Sequence, residues 1–270
     1  MSTRRDVLKG ILAAGAMPAA SARGATLNEI GLQLYTVRDS LTADFAGTLR
    51  EVARLGYREV EFAGLLGPGA KQARELLTQV GLRAPSMHVE YESLRGNLQA
   101  ALETAKTLGA GFVVCPWLDP AQHPAEEDWK RVSEALNSIG ERAARAGLTF
   151  AYHNHDFELR PLSQGARSLD VLLAHTDEKL VTFELDVYWA TKAGSDPVSY
   201  LRTHQRRFPL FHLKDMASDG SFTEVGSGTI DFAAIIRAAM DGAYFFVEQD
   251  VSADPMRSIA ASIAHLKQLR

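Results

Sequence analysis

The stretch AYHNHDFELR, residues 151–160, sets His153, His155 and Glu158 directly behind the apolar run GLTF. Imidazoles and carboxylates bind divalent cations, and imidazole moves protons near neutral pH. Further segments repeat the pattern of apolar residues leading into an ionisable one: FELDVYW carries Asp186, LFHLKD carries His212 and Lys214, and YFFVE ends at Glu248. A charge behind residues that must be buried is costly unless a cation or a donor meets it. For Asp186 or Glu248 alone a salt bridge answers that need as well as a metal does, and His212 alone reads equally as a satisfied core histidine. Taken together, Glu158, Asp186, His212 and Glu248 form a hard, oxygen-rich set suited to a divalent ion rather than to thiolate-bound structural zinc. One ion is expected, Mn2+ first, with Mg2+, Co2+ or Zn2+ as alternatives.

What could bring those residues together is a repeating unit. RLGYREVEF, QVGLRAPSMHV, TLGAGFVVC and RAGLTFAYH each place a glycine between a helix end and an apolar strand, the position where a left-handed backbone ends a helix without a Cβ clash. Strands are expected at 30–36, 58–62, 83–89, 111–115, 148–153, 181–187, 209–214 and 243–248. Between them run amphipathic helical patterns such as FAGTLREVARL and EEDWKRVSEALNSIGERAARA, with apolar residues at three and four spacing. Eight strand and helix pairs predict an α/β fold of one (β/α)8 TIM barrel over residues 27–270. An open doubly wound sheet is the alternative, but no Gly-x-Gly-x-x-Gly follows any strand. In such a barrel the chemistry sits at the C-terminal strand ends. Read in order, these give Tyr35, Glu61, His88, Trp117, His153 and His155, Asp186, His212 and Lys214, and Glu248.

Residues 1–22 differ from the rest. Arg4 and Arg5 precede a short apolar stretch, and Ala20 and Ala22 stand in an A-x-A arrangement, which reads as a twin-arginine signal peptide and predicts a periplasmic protein without a stable membrane anchor. Its removal takes three basic and one acidic residue from totals of 29 and 33, leaving a net charge of about −6. An acidic surface disfavours nucleic acid and anionic membrane as partners. Cys115 is the single cysteine of 270 residues, so no internal disulfide forms, and it reads as a small buried side chain at a strand end.

With these motifs in view, GLQLYTVRDSL, PSMHVEYESL, YHNHDFEL, FELDVYWATKAGSDP, FHLKDM and VGSGTIDF resemble the xylose isomerase-like TIM-barrel superfamily, the sugar phosphate isomerase/epimerase group. The resemblance spans nearly the whole chain after residue 22. It implies one divalent metal held by Glu, Asp, His and Glu from strands five to eight, with Asp186, His212 and Glu248 at the last three positions. The first position departs from the ketose epimerases, which carry glutamate where His153 stands. Either His153 takes over as ligand or Glu158 reaches back, and Glu158 is the preferred expectation. The implied chemistry is removal of a proton beside a carbonyl by a metal-dependent sugar isomerase, epimerase or lyase.

His153 or His155 is then the expected base, and Lys214 would hold the enediolate unless it pairs with Asp215 at the surface. Trp117, Tyr188 and Trp189 offer faces to a sugar ring, while Glu61 and His88 would bind hydroxyls. Export and the acidic charge favour an unphosphorylated sugar, an inositol derivative or a 3-keto-glycoside, with epimerisation and β-elimination both open. A homo-oligomer is compatible with these features. A repair nuclease would need a basic groove and a histidine-richer rim. A non-catalytic periplasmic sugar-binding protein would keep the aromatic residues without needing the metal.

Overall fold

The strands of the barrel are short and mostly buried on both faces, as expected where helices cover a parallel sheet. The computed structural model describes residues 27–269 apart from residues 28, 65, 66 and 164. The signal peptide expected at 1–22 lies outside the described residues. The barrel strands are β1 (Gly31–Gln33), β2 (Glu59–Ala63), β3 (Arg83–His88), β4 (Phe112–Cys115), β5 (Thr149–His153), β6 (Val181–Asp186), β7 (Leu210–Leu213) and β10 (Tyr244–Val247). They close in the order β1-β10-β7-β6-β5-β4-β3-β2, and every neighbouring pair is parallel. A small antiparallel hairpin, β8 (Asp215–Met216) and β9 (Phe222–Thr223), rises from the end of β7.

All eight expected barrel strands are present, and the first is shorter than its 30–36 expectation. It stops at Gln33 because Leu34–Val37 turns into a 3-10 helix capped by the Gln33 side chain, which accepts a hydrogen bond from Tyr35 N at 3.1 Å. The four junction glycines, Gly56, Gly81, Gly109 and Gly147, have φ of 106°, 73°, 86° and 76°, the left-handed values their position required.

Two apolar clusters divide the core. The larger lies between the strands and the surrounding helices; the smaller, Val114, Ala151, Leu210 and Phe246, is joined by partly buried Phe112 and Tyr244. Strand alternation explains the split, because neighbouring residues face opposite sides. The helix Glu126–Arg145 illustrates the outer layer. It buries Trp129, Val132, Leu136, Ile139 and Ala143 along one face, with acidic residues in its first turn and basic ones in its last, as the helix dipole favours. Among the described residues no helix is long and apolar enough to cross a membrane.

Candidate functional site

Above the small apolar cluster the interior turns polar. Glu61, His88, His153, Glu184, Asp186, His212, Lys214 and Glu248 are all at most 8% exposed. They come from the ends of β2, β3, β5, β6 and β7 and from the residue just after β10. His212 is the hub. Its Nε2 donates to Glu61 Oε2 at 2.6 Å, which turns Nδ1 towards Glu248 Oε2 at 2.8 Å and Asp186 Oδ2 at 3.9 Å. A carboxylate on the far nitrogen is the arrangement that fixes the tautomer of a metal-binding histidine. Glu61 is held in turn by Gln33 Nε2 at 2.8 Å and by the Ser86 hydroxyl.

Glu184 forms a second focus, with His88 Nε2 at 2.8 Å, His153 Nδ1 at 3.1 Å and His212 Nε2 at 3.2 Å from its Oε2. The sequence reading missed Glu184. The signal was available, because Glu184 stands two residues before Asp186 in a strand, and side chains two apart share a face. Lys214 Nζ lies 3.0 Å from Asp186 Oδ2, 2.8 Å from Glu248 Oε2 and 2.8 Å from Asp250 Oδ1. The expected surface alternative, a pair with Asp215, does not form. Asp215 is buried and accepts from the backbone N–H groups of Met216 (2.8 Å), Gly226 (2.8 Å), Gly228 (2.9 Å) and Ile230 (3.3 Å).

The electrostatics follow from burial and pairing. Burial opposes charge on His88, but Glu61 and Glu184 outweigh it and raise the imidazole to about 10. The same contest lifts His212 well above its ordinary value, through Glu184 and Glu248. Burial pushes Asp186 up to about 6 despite Lys214. His153 and His155 go the other way. Burial and His212 hold His153 well below its ordinary value, while burial and Lys214 bring His155 to about 3. Both are therefore neutral imidazoles at neutral pH, and both line the cavity at the barrel mouth.

That cavity has a volume of about 460 Å³ and is bordered by Tyr35, His88, Trp117, His153, His155, Lys214 and Glu248 among others. Trp117, 43% exposed, presents its ring there. Trp189 does not reach the cavity lining; it packs behind His155, ring centroids 5.5 Å apart. Tyr188 is fully buried and its hydroxyl donates to Gly220 O at 2.9 Å, so it offers no face to a ligand. Glu61 is likewise fully buried, with its carboxylate taken by Gln33, Ser86 and His212. It is placed to orient His212 and does not border the cavity. Cys115 is buried, and burial pushes its thiol well above the ordinary value.

Glu158 stands apart from the other three expected ligands. The structure brings Asp186, His212 and Glu248 together, with one ligand atom from each inside 4.8 Å, and leaves Glu158 out. Its loop coils into a 3-10 helix, Phe157–Leu159, that turns the carboxylate away from the barrel interior. There Oε1 accepts from the Tyr152 hydroxyl at 2.6 Å and Oε2 from His155 N at 2.8 Å. Glu158→Gln is expected to leave metal stoichiometry unchanged by elemental analysis, and a lost ion would restore Glu158 as a ligand. Burial raises the carboxyl from 4.5 to about 8. A raised value favours the folded state most below pH 4.5, and that contribution is lost as pH rises through 8. Denaturant titrations should show the wild type losing stability relative to Glu158→Gln across that window.

The donor set fits a metal ion. Asp186 Oδ2 and His212 Nδ1 are buried without an aligned hydrogen-bond partner, although charged neighbours lie close. Two carboxylates and an imidazole whose ligand atoms converge within 4.8 Å are what a borderline or hard divalent cation takes. The residues matched by the family described as xylose isomerase-like TIM barrel run from 49 to 269, through β2 to β10 and every side chain of this cluster. The chain belongs to the xylose isomerase-like TIM barrel family.

Within and around that family, an inosose dehydratase of Clostridium botulinum (strain Alaska E43 / Type E3) is 28% identical over 182 residues, 58% of this chain and 60% of that protein. The chain thus matches less than two thirds of that relative's length. A crystal structure of a sugar phosphate isomerase/epimerase from Parabacteroides distasonis is 27% identical, covers 94% of this chain and 97% of its own, and has a TM-score of 0.77. The IOLI protein, crystallised with a zinc atom, has a TM-score of 0.72 at 15% identity over 89% of this chain and 97% of its own, a likeness of fold.

Proposed function

We propose that this chain is an enzyme that removes a proton from a carbon next to a carbonyl in an unphosphorylated sugar, inositol derivative or keto-glycoside, with one divalent cation held by Asp186, His212 and Glu248. The observation that carries the reading is the convergence of those three side chains, two of their buried ligand atoms lacking an aligned partner, beside a cavity edged by neutral imidazoles. His153, at the end of β5 with its ring centroid 4.5 Å from that of His212, would add a further ligand in place of Glu158. A bound divalent ion would act as a Lewis acid on the carbonyl oxygen. Mn2+ leads the choice, and the zinc of the IOLI protein keeps Zn2+ beside it.

The chain's own groups divide the remaining work. His155 faces the mouth cavity as a neutral imidazole and takes the proton. Lys214 carries its ammonium to the cavity wall and donates to the oxygen on which charge develops. His88 also borders the cavity, and its imidazolium offers a second donor to a hydroxyl. Trp117 gives the ring an apolar face. Loss of an α-proton begins both epimerisation and elimination, and the names of the relatives, inosose dehydratase and sugar phosphate isomerase/epimerase, support this shared first step. The twin-arginine motif supports placement in the periplasm.

The test incubates manganese-loaded protein with a panel of unphosphorylated keto-sugars and inososes in D2O and follows α-deuterium by NMR. Incorporation into at least one is expected, and His155→Ala should slow it about 10²- to 10⁴-fold. No incorporation across the panel by the loaded wild type would overturn the reading.

A further inference from the structure

A second cavity, also of about 460 Å³, abuts the mouth cavity, and the two share Glu90 and Trp117. Both residues stand just past the C-terminal ends of strands, Glu90 after β3 and Trp117 after β4, so both compartments open on the reactive face of the barrel. Each falls within the size range of small-molecule sites, roughly 300–1,000 Å³. A single pyranose ring bound beside His155 and Lys214 leaves the second compartment empty.

The chemistry of that compartment selects its occupant. Its wall is formed by Tyr91 and Arg95, and its floor by Asp128, Arg131 and Ala135 of the helix Glu126–Arg145. Arg131 pairs with Asp128, Arg95 Nη1 lies 3.7 Å from Glu92, and Gln122 Nε2 donates to Asp119 at 3.1 Å. These groups present several donors and acceptors, the match for a polyhydroxylated ring and a poor one for a lipid or an apolar peptide face. Glu90, Glu92, Asp119 and Asp128 outnumber Arg95 and Arg131, which disfavours a phosphate or carboxylate substituent. The Trp117 backbone is tied back, its carbonyl oxygen 3.7 Å from Cys115 Sγ, so its exposed indole is a wall common to both compartments.

We propose that the second compartment is a subsite for a neutral sugar ring, so that the substrate is a two-ring glycoside with its reacting ring at the barrel mouth and its other ring across Trp117. This deepens the reading given under Proposed function and rests on it for the identity of the reacting ring.

Binding tests it separately from turnover. Isothermal titration calorimetry of the metal-loaded protein with methyl glucoside and with maltose, cellobiose and trehalose is expected to show at least one disaccharide binding about tenfold tighter or more, equal to about 1.4 kcal/mol. Ala135→Phe fills the second compartment and should bring that disaccharide down to the methyl glucoside value without changing the latter. Arg95→Ala, at an exposed position, should weaken the disaccharide alone and guards against misfolding of the bulkier variant. Equal affinity for one and two rings, no binding of any disaccharide, or equal weakening of both ligands by the variants would overturn the subsite. Deuterium exchange on a monosaccharide keto-sugar would survive such an outcome, so failure of the subsite and failure of the proton-transfer reading are told apart.

Discussion

Asp186→Asn is expected to lose the bound ion and to slow α-proton exchange about a thousandfold or more, since Lewis-acid assistance is worth several kcal/mol and each ~1.4 kcal/mol is tenfold. Asparagine is the informative replacement because Asp186 has two jobs. Oδ1 accepts the Trp189 N–H at 2.9 Å and caps the helix Val187–Lys192, while Oδ2 faces His212 and Lys214. The amide keeps the cap and removes the charge that a cation needs. Elemental analysis and exchange rates should therefore fall together while circular dichroism stays unchanged. Full exchange activity with a stoichiometric ion still present would remove Asp186 from the site.

The largest loss of stability is expected at Asp215→Ala. The Asp215 carboxylate is fully buried and gathers four backbone N–H groups from the chain that follows β7. Alanine strands all four without an acceptor, at about 1 kcal/mol or more each, for a total of about 3–5 kcal/mol. In a chain of this size that lowers Tm by roughly 10 °C. Differential scanning calorimetry checks it, and a shift inside 2 °C or so would show that the loop finds other acceptors. The hairpin of β8 and β9 hangs on the same carboxylate, and Phe222 of β9 packs on Tyr188 and Trp189, ring centroids 4.4 and 5.8 Å away.

The barrel was legible because its signals are local. An apolar run bounded by a helix-ending glycine specifies a strand whichever neighbours it acquires, and repetition along the chain specifies closure. Asp186, His212 and Glu248 were legible for the same reason, each following residues that had to be buried. Glu158 was not, because it lies five residues beyond β5, where direction is set by the 3-10 turn and by the Tyr152 hydroxyl and not by strand alternation. Lys214 and Asp215 show the limit most clearly. They are adjacent and opposite in charge, yet they face different partners because neighbouring strand-end residues point to opposite sides. Glu184 was readable by that same alternation and was passed over beside Asp186. The reach of Tyr188 and Trp189 depended on the hairpin, which the pattern of hydrophobic residues does not announce.

The seam between β1 and β10 has a consequence for synthesis. Its flanking hydrogen bond, from Gln249 N to Thr36 Oγ1, joins residues 213 apart, so the first strand leaves the ribosome long before its partner exists. Until then both edges of the nascent sheet, β1 and β7, stay bare, and bare edges are the feature most prone to pairing with other chains. A product terminated ahead of residue 244 keeps both edges permanently and lacks Glu248 as well. Premature stops before that residue are thus expected to give sticky chains that lack both the closing strand and Glu248.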